Sequence, residues 1–224
     1  MHCSRNPGAW PTDGWHAARM EPFVLTGDSV RLSVPTTADV ERIVEICQDL
    51  EIQRWTTVPS PYLREHAEGF VSTMVPHGWK QETAFTWAVR EQVDVRPGDP
   101  EPPVLGMVDI RVDDGPPGQR SGEFGFWTAP EARGRGLMTE AAGLVVGFGL
   151  DPEGLGLARA VWRAAVGNWA SRRVAWKLGV RVEGQVRGML VHRGALVDGW
   201  IGTLLPGDRR EPNEPWPVEA PVRW

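Results

Sequence analysis

The sequence contains few of the residues that would indicate a disulfide framework, a metal site or a membrane span. It has 2 cysteines and 5 histidines among 224 residues, and the histidines show no pairing at metal-ligand spacing. Cys47 falls on the apolar face of a predicted helix, where we expect a buried and unreactive thiol. No apolar run approaches the roughly 20 residues that cross a bilayer. We therefore expect no bound metal and no membrane partner.

Basic residues are also in the minority. The chain has 24 Lys and Arg against 29 Asp and Glu, a formal net charge of −5. A protein that binds nucleic acid usually carries a basic field, so we expect no nucleic-acid partner. The N-terminal residues lack the apolar core of a signal peptide, which favours the cytoplasm. A hydrophobic fraction of 41% is ordinary for a globular domain with a core of its own.

Hydrophobic periodicity predicts one mixed α/β domain between two less regular ends. We expect an irregular leader over residues 1–25, the domain over 26–206, and a proline-rich tail over 207–224 that covers the surface or lacks order. The element order is β-α-α-β-β-β-α-β-α-β-β. In chain order the predicted helices and strands are Val30–Val34, Thr36–Leu50, Leu63–His77, Phe85–Arg90, Val104–Arg111, Glu123–Thr128, Leu137–Leu150, Leu157–Ala165, Asn168–Leu178, Val180–Val186 and Ala195–Leu205. Prolines predict a loop over 54–62.

The most informative segment, residues 132–141, connects a predicted strand to a predicted helix. Gly134 and Gly136 allow the backbone to approach a ligand closely, and the free N–H groups of the helix start point at negative oxygens. Arg133 and Arg135 can add charge-assisted contacts to phosphate. The segment therefore predicts a pyrophosphate-binding loop.

Taken alone, this loop is also compatible with a plain turn between a strand and a helix. Its pattern Gly134-x-Gly136-x-x-Thr139 lacks the third glycine of the dinucleotide fingerprint, and no acidic residue is placed to hold a ribose. It also lacks the Gly-Lys-Ser/Thr of a P-loop. A nucleotide-dependent oxidoreductase is therefore disfavoured.

Two longer motifs carry a resemblance to a known family. Residues 123–141, EFGFWTAPEARGRGLMTEA, closely resemble the coenzyme A signature of the GNAT acyltransferases, and more narrowly of their Rim-type branch, which includes the acetyltransferases of ribosomal-protein N-termini. Residues 167–184, GNWASRRVAWKLGVRVEG, resemble the second signature of that branch. The resemblance covers roughly residues 26–206, which would then be an acyl-CoA N-acyltransferase domain. It implies a GNAT-like α/β (α+β) fold, with a mixed central sheet flanked by helices.

The resemblance also implies acetyl-CoA as cosubstrate and direct transfer of the acetyl group to a primary amine. The pantetheine arm would lie along Phe126, Trp127 and Thr128, where a backbone N–H would polarise the thioester oxygen. Asn168 would hydrogen-bond the pantetheine amide, and Ser171 would donate toward the thiol sulfur. The pyrophosphate would be held by the residues of the loop, Arg133, Gly134, Arg135, Gly136, Leu137, Met138 and Thr139.

The remaining chemistry requires a proton acceptor, because an N-terminal or lysine amine is mostly protonated near neutral pH. Glu123, the one acid on the strand that leads into the acyl site, is the candidate general base, and a solvated strand-edge glutamate is the alternative. Asn168 also suits a plain helix N-cap, and a serine such as Ser171 is common in a first helical turn. Structural roles therefore stay open for all three residues.

The amine acceptor stays open at this stage. Trp55, Tyr62 and Trp87 are candidate walls of its pocket, and the net charge of −5 mildly favours a cationic acceptor. A protein N-terminus, a lysine and a small-molecule amine all fit. The alternative function is a catalytically silent coenzyme-A-binding sensor or partner module, which the presence of Glu123 and Ser171 disfavours. The sequence leaves a homodimer open.

Overall fold

A computed structural model of the protein describes residues 20–221 apart from residues 97 and 117. Its strands are β1 (Leu25–Thr26), β2 (Val30–Ser33), β3 (Ala84–Glu91), β4 (Gly106–Val112), β5 (Ser121–Thr128), β6 (Arg159–Ala165), β7 (Arg181–His192) and β8 (Ala195–Leu204). They form one 8-stranded sheet in the order β1-β2-β3-β4-β5-β6-β8-β7. The pairing of β5 with β6 is parallel, whereas all other neighbours are antiparallel. The predicted mixed sheet is confirmed.

Helices flank this sheet, as the sequence predicted. They are α1 (Val40–Ile46), α2 (Leu50–Trp55), α3 (Arg64–Gly69), α4 (Val75–Gln81), α5 (Leu137–Leu150) and α6 (Trp169–Lys177). A π-helical turn over Phe70–Met74 makes α3 and α4 one continuous helical segment. The helix predicted over Thr36–Leu50 is wrong in its bounds, because α1 ends at Ile46 and Asp49 caps a new helix by accepting a hydrogen bond from the backbone of Ile52. In the described part of the chain no helix is long and apolar enough to cross a membrane.

An aromatic cluster fills the space between the sheet and α5. Phe85 and Trp87 on β3 lie edge-on against Trp79 of α4 and Phe148 of α5. Trp87 has 0% exposure, and its Nε1 donates a hydrogen bond to the backbone oxygen of Phe23 at 3.0 Å. The prediction that Trp87 lines an acceptor pocket is therefore wrong. The alternation of β3 allowed either face to be buried, and this tryptophan points into the core.

The two ends of the described chain both pack on the domain. Phe23, which the sequence placed in the irregular leader, contacts the rings of Trp79, Trp87 and Phe148. Leu25, two residues further on, pairs with Leu32 in the sheet. The last residues of that predicted leader therefore belong to the core. Residues 1–19 lie outside the described residues.

The C-terminal tail crosses α6. Trp216 packs against Trp169 and Trp176, and Trp176 Nε1 donates a hydrogen bond to the backbone oxygen of Glu214 at 2.8 Å. Asn213 adds a hydrogen bond to the backbone oxygen of Gly179 at 2.9 Å. The described part of the tail thus lies over the surface of the domain.

A buried arginine connects the segments that precede the site. Arg90 on β3 is 1% exposed and donates two hydrogen bonds to the carboxylate of Asp39, at 2.9 and 2.8 Å. It also donates to Ser33 Oγ at 2.8 Å and to the backbone oxygen of Pro102 at 2.6 Å. One guanidinium therefore holds together β2, the turn before α1 and the connection from β3 to β4.

Candidate active site

A gap opens in the sheet where β5 and β6 separate. Their parallel register begins with Ser121 opposite Arg159 and ends with Glu123 opposite Val161. Beyond that point β5 follows β4 as far as Thr128, and β6 follows β8. One edge of residues 126–128 consequently faces the gap. An extended ligand that carries amide groups can lie along such an edge as an additional strand.

The predicted phosphate loop lies between β5 and α5. Gly134 and Gly136 have φ angles of 74° and 83°, and a Cβ atom built on either would meet no atom within 4 Å. Gly136 is the N-cap of α5 and provides no side-chain cap. The side chains of Leu137 and Met138 are buried, so these residues present their backbone N–H groups at the helix start. The arrangement is that of an anion-binding helix terminus.

The two arginines of this loop are already engaged by carboxylates of other elements. Arg133 Nη2 donates to Asp49 Oδ1 at 2.6 Å, and Arg135 forms an ion pair with Glu91 at the end of β3. Burial acts to raise the pKa of Asp49, but the hydrogen bonds from Arg133 and from a backbone amide outweigh it and hold that pKa below its ordinary value. A bound pyrophosphate would compete with these carboxylates for the guanidinium groups.

Asn168 and Ser171 lie at the open end of the gap, because β6 leads into α6 through residues 166–168. Asn168 is the N-cap of α6, and its Oδ1 accepts a hydrogen bond from the backbone nitrogen of Ser171 at 3.1 Å. The Nδ2 group takes no part in this cap. Ser171 Oγ in turn accepts a hydrogen bond at 3.0 Å from Nε1 of Trp162, a residue that sequence reasoning did not select.

Glu123 occupies the last register pair before the gap and is held by two arginines. Arg111 Nη2 lies 3.3 Å from Glu123 Oε1, and Arg163 forms an ion pair with Oε2. With its side chain 19% exposed, Glu123 is not the solvated strand-edge residue that the sequence left open. Both carboxylate oxygens are engaged by guanidinium groups, so protonation of Glu123 would weaken two ion pairs.

A second carboxylate lies on the same face of the sheet. Asp109 on β4 is paired with Gly125 on β5, and Arg111 is paired with Glu123. Because the two pairs are two residues apart along each strand, their side chains lie on the same face. A Cβ atom on Gly125 would lie 2.9 Å from Asp109 Oδ1, so the glycine leaves room for this carboxylate. Burial raises the pKa of Asp109, and Arg111 acts in the opposite direction. We call Asp109, Arg111, Glu123 and Arg163 the polar face; only the register of β4 and β5 reveals Asp109 as part of it.

Of the remaining candidates for the acceptor pocket, Trp55 stands beside the gap and Tyr62 does not. Trp55 lies in the last turn of α2, and its ring is 3.4 Å from the position that a Cβ on Gly167 would take. Tyr62 is 6% exposed, and burial raises its pKa, so its ring belongs to the core. The prediction of Tyr62 as a pocket wall is therefore wrong.

Two further features lie in this part of the structure. Arg193, at the tip of the β7–β8 hairpin, donates to the backbone oxygens of Gln53 at 2.6 Å and Val58 at 3.3 Å. The hairpin thus touches the end of α2 and the loop that follows it. Cys47 is buried, as the sequence predicted, and burial raises the pKa of its thiol to about 12, which disfavours the reactive thiolate. Residues 20–221, as far as they are described, contain no cluster of three or more metal-ligating side chains.

Comparison with known proteins places this geometry in a family. The model of the acetyltransferase (GNAT) domain family matches residues 29–181. The chain therefore belongs to the GNAT acetyltransferases, a family of acyltransferase enzymes. None of the curated proteins matches the chain.

Solved structures of low sequence identity share the fold. The ribosomal-protein-S5-alanine acetyltransferase of Vibrio fischeri has a TM-score of 0.67 at 17% identity, over 84% of this chain and 99% of that one. RimL, a ribosomal L7/L12 alpha-N-protein acetyltransferase in complex with coenzyme A, has a TM-score of 0.68 at 14% identity, over 82% and 98%. The microcin C7 self-immunity acetyltransferase MccE, in complex with acetyl-CoA and AMP, has a TM-score of 0.68 at 16% identity, over 80% and 93%. The neighbours thus include the Rim-type proteins that the sequence resembles.

Proposed function

We propose that the protein transfers the acetyl group of acetyl-CoA directly to a primary amine. The observation that supports this most strongly is the position of the gap between β5 and β6 directly beside the uncapped N-terminus of α5. A ligand with a diphosphate at one end and an amide-containing arm at the other matches both features. Solved neighbours hold this cosubstrate or coenzyme A, its product: MccE is in complex with acetyl-CoA and AMP, and RimL with coenzyme A.

In the proposed complex, the backbone amides of residues 134–139 hold the pyrophosphate, and Arg133 and Arg135 form ion pairs with it. The pantetheine arm lies along Phe126, Trp127 and Thr128, and Asn168 Nδ2 donates to one of its amides. These roles require backbone groups from β5 and a side-chain group that the N-cap of α6 leaves unused.

The chemical step then proceeds through a tetrahedral intermediate. The amine lone pair attacks the thioester carbonyl carbon, and a backbone N–H of residues 126–128 stabilises the oxyanion. As the intermediate collapses, the carbon–sulfur bond breaks and its electron pair moves to sulfur, where the Ser171 hydroxyl donates a hydrogen bond. The proton that the amine loses passes to a carboxylate of the polar face, directly or through water.

Two carboxylates of the polar face are candidates for this proton acceptor. Glu123 is the residue that the sequence selects, yet Arg111 and Arg163 compensate its negative charge. Asp109 has a single arginine neighbour at 3.3 Å, is 25% exposed and has a raised pKa, which suits a base that operates nearer neutrality. We propose Asp109 as the general base and Glu123 as the residue that orders the two arginines beside it.

The acceptor that we propose is the amine of a peptide or protein. The Vibrio fischeri enzyme and RimL are named for ribosomal-protein acceptors, whereas MccE is named for immunity to a microcin. Trp55 and the contact of Arg193 with the end of α2 border the side from which the acceptor would approach. A small-molecule amine is the competing acceptor class.

The test combines ligand titration with an acceptor screen. Calorimetric titration with acetyl-CoA, NADH and ATP should give binding of acetyl-CoA alone. A library of N-terminal peptides, lysine peptides and small amines is then incubated with acetyl-CoA, and the free coenzyme A thiol is measured. Acetylated peptide with stoichiometric thiol supports the proposal. Binding without turnover on any amine would identify a silent coenzyme-A-binding module, and absent binding of acetyl-CoA would overturn the proposal.

A further inference from the structure

The hydroxyl of Ser171 is held by a buried indole. Trp162 on β6 is 1% exposed, and its Nε1 donates to Ser171 Oγ at 3.0 Å. Trp162 pairs with Gly202 of β8, and a Cβ on that glycine would lie 3.4 Å from the indole ring. The ring is therefore packed between the sheet and α6, so the direction of its N–H is fixed.

This contact determines what the serine can still do. An indole nitrogen only donates, whereas a hydroxyl has one donor and two acceptor positions. Because Oγ receives the indole hydrogen, its own O–H must point in another direction. Within the described residues Trp162 is the only hydrogen-bond partner of this hydroxyl, since the cap oxygen of Asn168 is bonded to the backbone nitrogen of Ser171. The O–H is thus left for a ligand at the start of α6.

We infer that Trp162 is a positioning residue, whose indole N–H fixes the Ser171 hydroxyl so that its O–H points at the sulfur of bound coenzyme A. The inference rests on the proposed function. When the carbon–sulfur bond breaks, the electron pair moves to sulfur, and Ser171 donates a hydrogen bond to the thiolate without losing its proton. Donation from the indole polarises the hydroxyl and strengthens that hydrogen bond. The sulfur carries its greatest negative charge when the carbon–sulfur bond breaks. Loss of this hydrogen bond should therefore lower kcat rather than the affinity for acetyl-CoA.

A purely structural role for Trp162 makes a different prediction. Its N–H would then merely be a satisfied buried donor, as Trp79 Nε1 is when it donates to the backbone oxygen of Thr86 at 3.3 Å. Trp79 is 2% exposed and lies in the aromatic cluster away from α6. Trp79→Phe is therefore the matched control, because it removes one buried indole N–H that has no connection to Ser171.

The kinetic test is a double-mutant cycle on kcat and on KM for acetyl-CoA. Trp162→Phe should lower kcat by about 3- to 10-fold, the usual range for one hydrogen bond, and leave KM nearly unchanged. In the Ser171→Ala background the same substitution should have no further effect on kcat. An equal loss in both backgrounds, or a loss matched by Trp79→Phe, would overturn the inference. β-(3-Benzothienyl)alanine at position 162, which keeps the ring volume and lacks the N–H, replaces phenylalanine if that variant does not fold.

A second measurement needs no acceptor. The pKa of the bound coenzyme A thiol, followed by thiolate absorbance, should lie below that of free coenzyme A, because Ser171 donates to the charged form. Ser171→Ala and Trp162→Phe should both raise it, and Trp79→Phe should not. A wild-type protein that fails to bind coenzyme A overturns the proposed function and this inference together. If coenzyme A binds and Trp162→Phe leaves the thiol pKa unchanged, the inference alone is overturned.

Discussion

Arg133 Nη2 and Asp49 Oδ1 are 2.6 Å apart, so a carboxylate at the N-terminus of α2 holds an arginine of the phosphate loop. Asp49 also caps α2 through the backbone of Ile52. The folded state lowers the pKa of Asp49, so the contribution of this ion pair is complete above the pKa of the unfolded chain. It is lost only as the pH falls through the lowered value of the folded state, and Asp49 is therefore charged at neutral pH.

Asp49→Asn should strengthen the binding of acetyl-CoA, because it removes a charge that competes with pyrophosphate for Arg133. Asparagine caps a helix as well as aspartate does, so the stability should fall only by the contribution of this partly exposed ion pair, about 1 kcal/mol or less. We expect the affinity to increase by about 2- to 5-fold at low salt, because a partly exposed ion pair contributes only about 1 kcal/mol or less. Calorimetry with Glu68→Gln as the control separates the local effect from the change in net charge. Weaker binding in Asp49→Asn would mean that the carboxylate orients the arginine for its ligand.

Gly134→Ala and Gly136→Ala should reduce acetyl-CoA binding by far more than they reduce stability. Both glycines have positive φ, so alanine costs about 1–2 kcal/mol of backbone strain at each position. No protein atom lies within 4 Å of the added Cβ, and the large effect must come from the ligand. Gly207 has a φ of 88° and the same empty surroundings, so Gly207→Ala is the matched control. Equal losses of affinity in all three variants would refute the loop assignment.

Asp109→Asn should lower kcat by about 10²–10⁴ while acetyl-CoA affinity is retained, since it removes a general base. Its raised pKa means that the acid limb of kcat/KM in the wild type lies above the ordinary aspartate range, with activity lost as Asp109 is protonated. That limb should vanish in Asp109→Asn, and high pH should restore turnover as the acceptor amine deprotonates.

Glu123→Gln is the companion variant for this measurement. It should reduce kcat less and keep the acid limb, because it frees Arg111 and Arg163 without removing the proposed base. If Glu123→Gln instead abolishes the limb and Asp109→Asn leaves the profile intact, the sequence-based choice of Glu123 is the correct one.

Arg90→Ala should be the most destabilising single change among the ion pairs described. It leaves the carboxylate of Asp39 buried without its partner, at a cost of about 3–5 kcal/mol. Arg90→Lys should restore only part of the loss, because an ammonium cannot donate in the bidentate manner. Arg64→Ala is the control, since its partners Glu41 and Glu68 are 72% and 52% exposed and such pairs contribute about 1 kcal/mol or less. Urea unfolding curves of the three variants check the order.

The sequence predicted the elements that strong local signals delimit. The bounds of α5 are those expected, since a glycine precedes it and a fourteen-residue run with apolar periodicity follows without a competing cap. The first helix was different, because Asp49 starts a new helix inside a run whose spacing looked continuous. The capping carboxylate of Asp49 favours a new helix at this point, whereas the apolar spacing favours one continuous helix. The structure follows the cap.

The parts of the site that depend on strand register were not predictable. Six consecutive residues of β3 are buried, so alternation could not distinguish the face of Trp87 from its neighbours, and the ring lies in the core. Asp109 becomes part of the polar face only through the pairing of β4 with β5. Trp162 reaches Ser171 because α6 packs on β6. Sequence spacing predicts contacts within one helix or one strand, and this contact joins a strand to a helix.

The gap beside β5 also leaves the two parts of the sheet connected by few residue pairs. Strands β1 to β5 form one slab and β6, β8 and β7 another, and three residue pairs, from Ser121 to Glu123, are the seam between them. A coenzyme lying in the gap beyond this seam, along residues 126–128, would supply the hydrogen bonds of a missing strand and join the two slabs. The bound coenzyme would then stabilise the fold itself. The melting temperature of the protein would rise with the logarithm of the coenzyme concentration.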